Sequence, residues 1–123
     1  MLIPVVPTNS RKRPAKAKPA AAPVVLPNQI VSIQYDEMRT GYIVTVSNPL
    51  NGFEFQTDVW FFTIFGTEET AQSGALIDET HIAISMGFDV EGTEVWNLTD
   101  TSGMEFVDGE VMVGPFSGSF PWP

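Results

Sequence analysis

An all-β fold is what this sequence predicts: a small antiparallel β-sandwich or barrel, jelly-roll-like or Ig-like, carried behind an extended N-terminal arm. Three observations predict it. Apolar residues alternate with polar ones at Val31, Ile33 and Tyr35 and again at Tyr42, Val44 and Val46, the period of a half-buried strand. Turn chemistry recurs along the chain at Asn48–Gly52, Gly87–Gly92, Asp100–Gly103 and Asp108–Gly109. All nine Phe, both Tyr and all three Trp lie beyond residue 27, so core-forming side chains and the first 27 residues are segregated.

The two alternating runs around the turn at 36–41 predict a first hairpin. Pro49 stops pairing, and Asn51-Gly52 tolerates the positive φ of a tight turn. Phe53 to Phe65 reads as one bent strand or two short ones, and its Trp60–Phe65 stretch is apolar enough for burial on both faces. Residues 66–80 are less regular. Gly66, Ser73 and Gly74 interrupt them, and Glu68–Gln72 reads as a single helical turn. His81–Met86, Thr93–Leu98, Met104–Val107 and Glu110–Val113 complete a set of seven or eight short strands. The body is therefore assigned to residues 28–114, followed by an extended apolar tail over 115–123.

Residues 1–27 are of a different kind. Six of the ten prolines lie there, and proline fixes φ and lacks an N–H, which excludes a regular helix or a central strand. Five of the six basic residues, Arg11, Lys12, Arg13, Lys16 and Lys18, lie there too. The segment carries +5, whereas residues 28–123 set one arginine against fifteen carboxylates and carry −14. Apolar groups flank the basic run, with Leu2, Ile3, Val5 and Val6 before it and Val24 to Leu26 after it. A segment of this composition is expected to be extended, either as a disordered tail or as an arm that orders by docking its apolar tip on a neighbour.

This inventory leaves little for catalysis. The chain has no cysteine and a single histidine, His81, and every lysine lies in the arm. A Ser–His pair needs an orienting third group, and no nucleophile-elbow pattern is present. His81 is expected to flank a strand. No catalytic residue, cofactor or metal site is assigned. The carboxylates of Glu68-Glu69, Asp78-Glu79 and the Asp89/Glu91/Glu94 loop form no EF-hand pattern and are read as solubilising. Asn97-Leu98-Thr99 matches a glycosylation sequon inside an expected strand and is discounted.

The acidic body is unsuited to binding nucleic acid, because phosphate neutralisation dominates that affinity. Contact with nucleic acid is assigned to the arm alone, without sequence preference, since the arm has no aromatic residue for stacking. Apolar residues precede the basic run, the reverse of a signal peptide, and no apolar stretch reaches the roughly 18 residues of a membrane span. A soluble chain without a cleaved export signal is expected, in a virion or otherwise in the cytoplasm.

A basic arm ahead of a compact β body is similar in organisation to many viral coat proteins, a resemblance of architecture with no shared motif. It implies a non-enzymatic structural subunit of a large assembly: a virion capsid, cement or decoration protein. Partners would be copies of itself or a larger structural protein. The docking residues would be Leu2, Ile3, Val5, Val6, Phe120 and Trp122, with Arg11, Lys12, Arg13, Lys16 and Lys18 contacting the partner or nucleic acid. The alternatives are a module that binds nucleic acid through its arm, and an adhesion or carbohydrate-binding domain that uses Trp60, Trp96 or Trp122 as a stacking platform.

Overall fold

A computed structural model describes residues 26–36 and 40–122. The described chain is all-β, without a helix, and contains ten short strands. They are β1 (Ile30–Asp36), β2 (Gly41–Val46), β3 (Leu50–Phe53), β4 (Trp60–Ile64), β5 (Thr67–Thr70), β6 (Ser73–Asp78), β7 (His81–Ser85), β8 (Thr93–Leu98), β9 (Met104–Phe106) and β10 (Ser117–Ser119). One four-stranded sheet runs β1-β2-β7-β6 and a second β10-β8-β4-β5, while β3 and β9 form a two-stranded ribbon. Every pairing between these strands is antiparallel.

The expected first hairpin is present, with Tyr35 opposite Tyr42 and Ile33 opposite Val44. Its alternation places Ile33, Tyr42, Val44 and Val46 in the core. Trp60, Phe62 and Ile64 of β4 point inward from the second sheet, and Phe61 and Thr63 between them are half-buried. Rings from the two sheets meet directly: Tyr42 of β2 stacks on Phe62 of β4 with centroids 4.0 Å apart and planes 15° apart. The ribbon adds Leu50, Met104 and Phe106 to the same core. The arrangement is a sandwich whose sheets do not close into a barrel.

Three expectations need correction. Glu68–Gln72 is not a helical turn, because Thr67–Thr70 forms β5 and pairs with β4 from Ile64↔Thr67 to Phe61↔Thr70. The cause is the turn: Phe65 and Gly66 both have positive φ, 48° and 80°, the backbone of a tight two-residue hairpin connection. Residues 110–113 form no strand; Met112 alone is buried there, and Val111 and Val113 face outward. Residues 115–122 do not project as a tail, since 117–119 form β10 against β8, with Gly118 opposite Trp96. The seven or eight strands expected are ten.

The chain between β5 and β6 changes sheet. The Ala71 N–H donates to the Trp60 carbonyl in the second sheet, and the next N–H, of Gln72, donates to the Ser85 carbonyl in the first. Residues 67–78 are thus one continuous margin, forming the edge of one sheet and then of the other.

Candidate docking site

The two margins of the sandwich differ in what covers them. On one side of the sandwich the C-terminal residues bridge the sheets. The Ile33 N–H of β1 donates to the Trp122 carbonyl at 3.4 Å. The Trp122 ring meets Trp96 edge-on at 5.5 Å, and Phe120 stacks on Tyr35 at 5.8 Å. Trp96 is wholly buried. The indole N–H groups of Trp60, Trp96 and Trp122 have no hydrogen-bond partner among the described residues, a cost tolerated where ring burial is large.

On the opposite side β5 and β6 end their sheets, so each leaves a row of backbone groups without a strand partner among the described residues. The two edges are not equivalent. β5 reads TEET, and Glu68 and Glu69 discourage addition of another strand. β6 reads SGALID, with neither proline nor lysine and its only charge at the last position. Ser73, Ala75 and Ile77 face solvent, Ile77 being 46% exposed, while Gly74 and Leu76 turn inward. Space at Gly74 is limited by side chains alone: a Cβ would lie 2.8 Å from Ile84 Cδ1 and 3.0 Å from the Phe55 ring. The rings of Phe53 and Phe55 pack partly buried against the core.

The point where the arm leaves the body is fixed by hydrogen bonds. Asn28 is buried, its Nδ2 donates to Asp108 Oδ1 and to the Glu110 carbonyl at 3.0 Å each, and its Oδ1 accepts from Asn48 Nδ2 at 2.8 Å. Asn48 also holds the Leu26 carbonyl at 2.8 Å, and Ser47 Oγ holds that of Pro27 at 2.6 Å. The same segment touches the end of β6, because the Val46 and Leu50 N–H groups donate to the carbonyls of Thr80 and Glu79. The arm therefore emerges beside the turn that follows β6. An apolar patch of Leu26, Val111 and Val113 lies at this exit.

Several carboxylates are occupied in turns. Asp78, Asp89, Asp100 and Asp108 each accept the backbone N–H two residues on, from Thr80, Glu91, Ser102 and Glu110. The Thr80 N–H, and next the ring of His81 with Nδ1 2.8 Å away, hold the Asp78 carboxyl below the usual carboxylate range. Asn28 does the same for Asp108, with the Glu110 N–H second. His81 is the first residue of β7 and flanks that strand. Among the described residues no three His, Asp or Glu side chains gather in a group able to hold a metal ion, and no helix is long and apolar enough to cross a membrane.

The sequence-predicted site is divided by these facts. Arg11, Lys12, Arg13, Lys16, Lys18, Leu2, Ile3, Val5 and Val6 lie outside the described residues. Phe120 and Trp122 are partly buried and packed on the chain's own core, which commits their inner faces to the sandwich and leaves less for a partner. Trp60 and Trp96 are buried and present no stacking platform. Sequence reasoning missed Asn28 and the β6 edge. An Asn following Pro27 at the change of composition marks the first, and nothing local marks the second. The chain matches no protein-family model, no curated protein and no solved structure.

Proposed function

We propose that this chain is a non-enzymatic structural subunit of a large assembly, a virion capsid, cement or decoration protein, whose N-terminal arm docks on neighbouring subunits. The observation that carries the reading is the charge division, +5 in residues 1–27 against −14 beyond, with apolar segments on both sides of the basic run. Opposite charge steers the arm of one copy to the body of the next, though exposed pairs contribute only about 0–1 kcal/mol each and are screened by salt. Burial of Leu2, Ile3, Val5 and Val6 supplies the holding energy, at about 25 cal/mol per Å². The anchored exit at Asn28 supports this reading, because a fixed root transmits the position of a docked arm to the body.

Sizing of the full chain and of a chain lacking residues 1–25, at low and high salt, tests the proposal. Residues 26–122 retain every core side chain described, so the shortened protein is expected to be a folded monomer that no longer self-associates or joins its complex. Unchanged association after truncation overturns the proposal. Co-purified nucleic acid lost with the arm, with no self-association of the full chain, would instead favour the nucleic-acid module.

A further inference from the structure

We infer that the outer edge of β6 is the place where the arm docks, taking residues Leu2–Val6 of a second copy as an added strand. This rests on the arm-docking reading above and adds to it the site and the geometry.

The edge itself is suited to strand addition. β6 is six residues long, ends its sheet, and lacks the charges that guard β5, its neighbour along the same margin. An extended peptide added to such an edge gains main-chain hydrogen bonds along its length, and alternate side chains set specificity. The inner neighbours of the new strand would be Leu76 and the half-buried rings of Phe53 and Phe55 around Gly74.

The segment Leu2–Val6 fits that edge for a reason that lies in its prolines. Successive N–H groups of a strand point to opposite sides, so Ile3 and Val5 share one side and Leu2, Pro4 and Val6 the other. With Ile3 and Val5 directed at β6, Pro4 faces outward, where a missing N–H costs no ladder bond and blocks a further strand. Pro7 then falls on the inward side and ends the pairing. The ladder is short and self-limiting.

Charge agrees with this placement. Glu68 and Glu69 precede β6 along the margin, and Asp78, its last residue, is followed by Glu79. The run Arg11–Lys18 begins four residues after Pro7, so either strand direction carries it toward one carboxylate pair. Length permits a second copy: at about 3.1 Å per residue the proline-rich connector from Pro7 to residue 25 could reach roughly 60 Å, well beyond a body whose radius of gyration is about 13 Å.

Substitutions in the arm test the ladder without touching the core. In the full chain, Ile3→Pro with Val5→Pro removes both inward donors, and self-association measured by analytical ultracentrifugation is expected to weaken at least about tenfold, or 1.4 kcal/mol. Pro4→Ala, which changes an outward position, is expected to leave it within about threefold, below half of that tenfold energy. On the receiving side, Ile77→Lys places a charge on the exposed face of β6 and is expected to weaken association while the far-ultraviolet circular dichroism of the monomer is unchanged. If truncation of residues 1–25 abolishes association but the double proline variant associates as the parent does, the β6 ladder is wrong and the arm-docking reading stands. If truncation has no effect, both fail. A full chain that stays monomeric at every concentration, with its β6 amides protected, overturns docking on a second copy.

Discussion

The two margins of the sandwich solve the same problem in opposite ways. At one, β1 and β10 are drawn together by the C-terminal residues, with the Ile33–Trp122 bridge, the Trp96–Trp122 contact and the Tyr35–Phe120 stack filling the seam. At the other, residues 67–78 pass from one sheet to the next and leave both edges without a strand partner among the described residues. Covering an edge with aromatic rings gives stability, and leaving one open gives a surface for another chain. Only half of the open margin is guarded, the half that contains Glu68 and Glu69. The difference teaches that edge protection here is local to a strand.

Trp96→Ala is the severest way to break the covered seam. It removes a fully buried ring from the contact with Trp122 and is expected to cost about 3–5 kcal/mol in chemical denaturation. Retention of parental stability would mean that the seam is not a structural element.

A matched pair of glycine substitutions compares the margins directly. At Gly118 a Cβ would lie 2.6 Å from Trp96 Nε1 and 2.8 Å from the Trp122 ring, both held in a packed seam. Gly118→Ala is expected to cost about 1–3 kcal/mol. At Gly74 the nearest atom is the terminal methyl of Ile84, and Gly74→Ala is expected to cost about 1 kcal/mol or less, because the loss of chain entropy in the unfolded state offsets the crowding. A reversed order of the two melting temperatures would show that the open margin is the more rigidly packed.

Smaller effects come from polar groups between the margins. Thr93 Oγ1 donates to the Val90 carbonyl and therefore accepts from the buried Tyr42 hydroxyl. Tyr42→Phe should cost about 1 kcal/mol at neutral pH. Burial raises the Tyr42 pKa above its ordinary value, so the folded state keeps its proton and the associated stability is present below about pH 10 and lost as pH rises further. Alkaline denaturation is expected to shift to higher pH in the Phe variant. Asp78 and Asp108 have the opposite sign: their pKa values are lowered, so their contribution is present above about pH 4 and lost as pH falls below it. Both are exposed, and Asp78→Asn or Asp108→Asn should only flatten the acid limb slightly.

How much of this was legible in the sequence depends on whether a feature is local. The β1–β2 hairpin announced itself through alternation at Val31–Tyr35 and Tyr42–Val46, and β4 through its aromatic run. β5 has no apolar alternation in TEET; it is a strand because the Phe65–Gly66 turn returns the chain along β4. Val111–Val113 looks like a strand but pairs with none among the described residues, the Val113 N–H donating to the Asn28 carbonyl instead, whereas Ser117–Ser119 lacks strand character and finds a partner in β8. Trp122 sits between two prolines, yet pairs with a residue 89 positions earlier, a contact that no local pattern encodes. The open edge of β6 is likewise a property of sheet order, visible only once β5 and β6 are assigned to different sheets.

Amide hydrogen exchange, residue by residue, on the full chain above and below its association concentration tests the contrast most directly. Protection at Ile33 and across Ser117–Ser119 is expected to be the same in both conditions, because the covered seam belongs to the monomer. Outward-facing amides within Ser73–Ile77 are expected to gain at least about tenfold protection only in the associated sample. Unchanged exchange at β6 on association, with protection gained elsewhere, would contradict the assignment of the open margin as the docking edge.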